Sequence, residues 1–172
     1  MAEQEVPVAE DVVTEQDYER FARHRIAELG GDAEAFGLSY NVLQLAYMMI
    51  TDYEALVHRE HGWTMPAFRL MFKLWILGPT QPNRLADLSG TTRSAMSNLI
   101  NTLERAGLVE RSRDERDRRV VFVALTERGR EAVSRAFPRQ NARESRWFEI
   151  LSPEDRARMV DMIRRVVATR PG

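Results

Sequence analysis

Apolar residues recur at helical spacing along most of this chain and thicken into strand-like runs in one place only. From Thr14 onward, Tyr18, Phe21, Ala22, Ile26 and Leu29 make one stripe, with Thr14 and Asp17 as a capping pair and Gly30 and Gly31 as a stop. A second helix is predicted from Ser39 to about His61, with Val42, Leu45, Ala46, Met49, Tyr53 and Leu56 on one face. A third runs from Met65 to Leu77, burying Phe68, Met71, Leu74 and Trp75, and is stopped by Gly78 and Pro79. Pro82 to Ser89 reads as a short helix with proline in its first turn and Leu85, Ala86 and Leu88 as its apolar side. After a break at Gly90, Thr91 or Thr92 caps a helix running to about Ala106, and Gly107 occupies the place of a left-handed C-terminal cap. Its stripe is Ala95, Met96, Leu99, Ile100 and Leu103.

The period then changes. Leu108 and Val109 on one side, and Val120, Val121, Phe122, Val123 and Leu125 on the other, favour two strands enclosing a charged turn. Beyond them Thr126 caps a helix bearing Ala132, Val133, Ala136 and Phe137, which Pro138 should kink or divide. Ser152, Pro153 and Asp155 open a last helix with Met159, Met162, Ile163, Val166 and Val167 as apolar positions. The expected fold is mainly α with a small β-wing, a winged helix-turn-helix flanked by N- and C-terminal helices. Residues 1–13 read as a flexible acidic tail, 64–126 as the winged lobe, and 14–62 and 127–172 as the flanking helices of one domain spanning 14–172.

Charge turns this fold class toward a function. The 172 residues have a formal net charge of −1, which on its face disfavours a polyanion partner. Residues 1–20, however, hold seven acids and one arginine, a net of −6, so the rest of the chain carries +5. Between Arg111 and Arg119 stand five arginines, Arg111, Arg113, Arg116, Arg118 and Arg119, against Asp114, Glu115 and Asp117. Guanidinium groups on a hairpin tip suit phosphates or a narrow minor groove, although by itself such a tip is equally a solvated, edge-protecting hairpin. The helix before it shifts the balance. Arg93, Ser94, Ser97, Asn98 and Asn101 give its outer face compact hydrogen-bonding side chains that can approach base edges or phosphates, with Thr92 at its start a further DNA-contact candidate. A helix, a tight turn, a polar-faced helix and a basic hairpin in that order are more specific than any one of them.

These residues carry a resemblance. Ser97, Leu103 with Glu104, Gly107 with Leu108, Val109 and Arg111, Asp117 with Arg119, and Leu125 with Thr126 and Gly129 are similar to the central pattern of the MarR family of bacterial transcription regulators. The likeness is close over roughly fifty residues and extends more weakly through the flanking helices. It implies that Arg119 enters the minor groove and that Asp117 braces it. Asn98 departs from the basic residue many members have there, so that contact would read bases or pass to Arg93. The resemblance further implies a dimer formed by the terminal helices, usually a repressor, with a ligand pocket where those helices meet the DNA-binding lobe.

The apolar stripes of the terminal helices exceed what one small winged module covers, so a homodimer is expected, its two recognition helices about 34 Å apart on double-stranded DNA with a pseudo-palindromic operator. Tyr47, Phe68, Arg69, Phe72 and Trp75 are the candidate pocket, suited to a small aromatic or phenolic anion, although aromatics at helical spacing also build cores. With no cysteine, a thiol-oxidation switch is excluded. His58 and His61, near Glu54 and Glu60, have a spacing that could hold a metal but read more simply as a solvated helix end, so no metal is assigned. No cofactor, nucleophile-elbow or phosphate-loop motif occurs, and catalysis is not expected. The longest apolar run, near Ala46 to Ile50, is too short for a membrane, and a cytoplasmic protein is expected. The alternative reading is a winged-helix module whose hairpin binds protein.

Overall fold

The computed structural model describes residues 14–169; the acidic tail expected over 1–13 lies outside the described residues. Helices dominate, interrupted by one two-stranded antiparallel sheet. The chain divides into two compact units at Ile50 and Thr51.

The first unit is a helical hairpin. α1 (Glu15–Glu28) begins at a capping box in which Thr14 and Asp17 exchange hydrogen bonds, as the sequence predicts. α2 (Ala33–Tyr53) starts six residues before the expected Ser39, because Asp32 Oδ1 accepts from the amides of Glu34 and Ala35. Gly37 permits the two helices to approach: a Cβ there would lie 2.9 Å from Glu19 Oε1 and 3.2 Å from Arg23 Cδ. Tyr40 closes the hairpin, its ring 5.5 Å from Tyr18 and its hydroxyl bonded to Glu15. That bond to a carboxylate pushes the phenol up to about 12. The α2 stripe is not a buried one, since Val42 and Ala46 are exposed with Leu38, Leu43 and Tyr47.

The second unit is the winged helix with its supports. The end of α2 does not run on to His61 as one α-helix: it widens into a π-turn at Glu54–His58 and tightens into a 3₁₀ turn at Arg59–His61, ending at Gly62 with φ +69°. Tertiary bonds impose this break. Glu54 Oε1 accepts from the Met65 amide at 2.6 Å, and His58 Nε2 lies 2.8 Å from Gln140 Oε1. α3 (Met65–Leu77) buries Phe68, Leu70, Met71 and Leu74. Trp75, expected inside, is half exposed. α4 (Pro82–Ser89) and α5 (Arg93–Arg105) follow, separated by a turn through Gly90 at φ +60°. Leu88 and Ala95 prove exposed where the spacing predicts burial, leaving Leu85, Ala86, Met96, Ile100 and Leu103 as the buried faces of this pair.

β1 (Val109–Arg113) and β2 (Val121–Leu125) pair antiparallel, Val109 opposite Leu125 and Arg113 opposite Val121. Thr80 adds a one-residue bridge, exchanging both backbone hydrogen bonds with Val123 at 2.9 Å. One core links α3, α4, α5, both strands and the start of the next helix, with Met71, Leu85, Ile100 and Val123 fully enclosed. Burying each of these side chains stabilises the lobe by roughly 1.5–3 kcal/mol. α6 (Glu127–Trp147) passes through Pro138 undivided. Pro138 and Ser134, whose carbonyl loses its donor, both face solvent, so water can serve the freed oxygen. Asp52 fastens α6 to the π-turn segment, accepting from Arg143 at 2.9 and 2.6 Å and from Trp147 Nε1 at 3.0 Å. The Arg143 guanidinium holds the Asp52 carboxyl below its usual value. α7 (Pro153–Ala168) buries none of its residues. Among the described residues no helix is long and apolar enough to cross a membrane.

Candidate nucleic-acid interface

α5 owes its orientation to one cap and one stripe. Thr92 Oγ1 accepts from the Ala95 amide at 3.1 Å, which fixes the first turn. Met96, Ile100 and Leu103 then sink into the core, and their burial leaves Arg93, Ser94, Ser97, Asn98 and Asn101 facing solvent. All five expected outer-face residues therefore lie on one exposed surface.

The tip of the wing is built by two aspartates. Asp114 Oδ1 accepts from the amides of Arg116 at 2.7 Å and Asp117 at 3.0 Å. Asp117 Oδ1 accepts from the Arg119 amide at 3.0 Å and from its Nε at 3.3 Å. Backbone bonds from Asp114 N to Val120 O and from Val120 N to Asp117 O close the loop at 3.0 and 2.9 Å. The carboxylates are thereby consumed in shaping the turn, while the Arg119 side chain stays 93% exposed. Arg113, Arg116 and Arg118 are exposed as well, and none pairs with an acid among the described residues. The part played by Asp114 is invisible to a search for DNA-contacting residue types; an aspartate two residues before an unpaired amide was its only signal.

Arg111 behaves differently from the other wing arginines. Its guanidinium turns back across β1 to the Glu104 carboxylate and to Asn101 Oδ1, the latter at 2.6 Å. Asn101, expected among the reading residues, thus spends its carbonyl inside the protein, tying the end of α5 to the root of the wing. Ser94, Ser97 and Asn98 have no such tether from the wing.

The candidate pocket residues separate. Phe68, Arg69 and Phe72 line a cleft of about 450 Å³ between α3 and α6, together with Lys73, Phe137 and Gln140. Phe68 is itself 1% exposed and doubles as core. Phe72 stacks between Phe137 at 4.7 Å and Trp75 at 5.9 Å, but Trp75 is not on the cleft wall. Tyr47 is exposed and belongs to the first unit. Burial, with the Arg69 charge alongside, pulls Lys73 below its usual value. The two histidines differ in burial. His58 is fully buried, stacked on Phe68 at 4.6 Å, which overturns the solvated reading for it. Burial holds His58 below its ordinary value, the hydrogen bond to Gln140 acting in the opposite sense. His61 stacks on Trp63 at 4.4 Å with Nε2 3.1 Å from Glu60.

Residues 63–121, from the start of α3 to the first residue of β2, match the model of the MarR family. Over this stretch the chain is similar to the MarR family. Among its relatives, the HTH-type transcriptional regulator YwaE of Bacillus subtilis is 28% identical over 133 residues, 77% of this chain and 78% of the relative. The structure of the MarR-family regulator Sco3205 from Streptomyces coelicolor, in complex with DNA, is 24% identical, with TM-score 0.74, 82% of this chain and 91% of that one covered. The PcaV regulator from Streptomyces coelicolor, in complex with its natural ligand, is 23% identical, with TM-score 0.67 and coverage of 77% and 91%. The two structural likenesses establish the fold.

Proposed function

We propose that this chain acts as a MarR-type homodimeric repressor that reads a pseudo-palindromic operator and is released by a small aromatic or phenolic anion. The observation that carries the reading is the pairing of an exposed polar face on α5 with a wing whose two aspartates shape the turn and whose Arg113, Arg116 and Arg118 have no acid partner among the described residues. Arg93, Ser94, Ser97 and Asn98 read or anchor in the major groove, with Thr92 capping their helix. Arg119, held by Asp117, enters the minor groove, and Arg113, Arg116 and Arg118 contact phosphates. Sco3205, similar in fold, is bound to DNA.

Support for the dimer comes from unpartnered apolar surface: Val166 and Val167 of α7 are about as exposed as Leu38 and Leu43 of α2. A two-fold pair places equivalent helices roughly 34 Å apart, one turn of duplex. For the effector, the aromatic cleft at Phe68 and Phe72 carries the cations Arg69 and Lys73 against one acid, Glu144, which already accepts from Gln140 and Asn141, and this suits a planar anion. Such a ligand must bind the DNA-incompetent arrangement more tightly if it is to release the operator.

Selection from random duplexes by gel shift tests this directly. An inverted repeat with half-sites about 10 base pairs apart should be enriched. Failure to enrich any sequence, with the protein folded, would remove the operator-reading function.

A further inference from the structure

The wing leaves the lobe as a two-stranded hairpin, which without support is marginally stable at best. At its base Thr126 binds back to the carbonyls of Leu108 and Gly107, through its amide at 3.1 Å and its hydroxyl at 2.8 Å. Further out, both strands are clamped at one rung. Val123 of β2 exchanges backbone hydrogen bonds with Thr80, and the residue opposite it on β1 is Arg111. Directly opposed residues share a face of the sheet, so Arg111 is aimed toward the side on which Val123 is fully enclosed. Beyond this clamp lie two further rungs, Ser112 with Phe122 and Arg113 with Val121, and then the loop carrying Arg116, Arg118 and Arg119.

On α5, Asn101 and Glu104 stand about one turn apart on a single face. Glu104 accepts from Arg111 Nη1, and Asn101 Oδ1 accepts from Nη2 at 2.6 Å, so one planar guanidinium spans both. The clamp on β2 thus reaches the segment between α3 and α4, and the clamp on β1 reaches the recognition helix. Arg111 differs in this from the other wing arginines. Arg119 pairs with Asp117 inside the wing, and Arg113, Arg116 and Arg118 have no acid partner among the described residues.

We propose that Glu104 and Asn101 latch Arg111 so as to fix the angle between the wing and α5, which makes Arg111 a positioning residue in DNA recognition. The inference rests on the reading of α5 and the wing as the DNA-contacting surfaces. Ser94, Ser97 and Asn98 must enter one groove of a duplex while Arg119 enters the next, and a wing already held at one angle meets both demands without first being ordered. Charge makes the assignment testable by its sign. Taking a carboxylate from a surface that meets a polyanion ordinarily strengthens binding. Here the loss of Glu104 releases the wing and weakens it.

Glu104→Ala in the full chain should raise the Kd for a selected duplex about fivefold, the loss expected of a wing contact, and leave a random-sequence duplex bound equally or more tightly. The exchanged pair, Glu104→Arg with Arg111→Glu, keeps the parent's net charge and should return the Kd to within about twofold of the parent value. A nitroxide on Glu115→Cys reads the wing without DNA, its attachment unambiguous because the chain has no cysteine and Glu115 is exposed at the tip. Its spectrum should sharpen in Glu104→Ala, from added nanosecond motion, and broaden again in the exchanged pair. A Glu104→Ala protein that binds the selected duplex as tightly as the parent, or more tightly, would overturn the proposal, as would an unmoved nitroxide spectrum. Equal losses on selected and random duplexes, with no recovery in the exchanged pair, would reduce the pair to a support of the fold and overturn it too. A parent protein that selects no duplex would remove the DNA reading itself, and this role with it.

Discussion

Replacing Arg119 by alanine separates what the wing does for the fold from what it does for DNA. Within the protein this side chain makes one ion pair, Nε to Asp117 at 3.3 Å, and it is 93% exposed. An exposed pair of that kind contributes about 0–1 kcal/mol, and the second bond to Asp117 comes from the Arg119 amide, which alanine retains. Thermal unfolding should therefore shift little. On DNA the same residue supplies a full charge and a planar donor to the minor groove, so its loss should cost at least about 1 kcal/mol, a fivefold or greater rise in Kd. Each protomer should also release about one counterion fewer, flattening the salt dependence by roughly 1–2 units per dimer. Fluorescence anisotropy with a selected duplex at several salt concentrations reads both quantities. Asp117→Ala should weaken binding as well, because it frees the Arg119 amide and guanidinium together. Unchanged affinity and unchanged salt slope in Arg119→Ala would refute the wing assignment, whatever Asp117→Ala did.

Further outcomes follow from the same geometry. Fully buried His58 has its value lowered, so the unfolded chain takes up a proton first as pH falls through about 6.5, the ordinary value. Its share of stability is complete above that pH and lost below it; denaturant titrations between pH 7.5 and 5 should show a decline that His58→Gln reduces. Gly129→Ala should destabilise by about 2 kcal/mol or more in a thermal melt, since the new Cβ would sit 2.0 Å from Leu108 O, a backbone atom that cannot rotate away. Ile163→Glu with Val166→Glu on α7 should yield a folded monomer in sedimentation velocity and weaken duplex binding; a persisting dimer would place the interface elsewhere.

What could be read from the sequence was whatever depends on neighbours a few residues apart. The caps at Thr14, Thr92, Thr126 and Ser152 all form as their spacing predicts, and α4 keeps the expected bounds from Pro82 to Ser89. β2 lies within its β-branched run, whereas β1 starts at Val109 and continues through charged residues to Arg113, which the spacing assigns to the turn. The features that escaped depend on distant partners. Nothing between Glu54 and His61 breaks a helix by propensity; contacts with Met65 and Gln140 do so. Residues at helical spacing identify a face but not its edges, which is why Ala95, Leu88 and Trp75 emerge into solvent. Arg111 looked like one more wing charge until the fold brought it against Asn101, ten positions earlier.

The central claim is that α5 and the wing bind duplex DNA through arginines, and the salt dependence of binding to a selected duplex addresses it most directly. If Arg93, Arg116, Arg118 and Arg119 of two protomers meet four to eight phosphates in all, log Kobs against log salt should fall with a slope of about −4 to −7. A slope near zero, in a folded protein, would contradict the account and favour a wing that docks on protein through uncharged contacts.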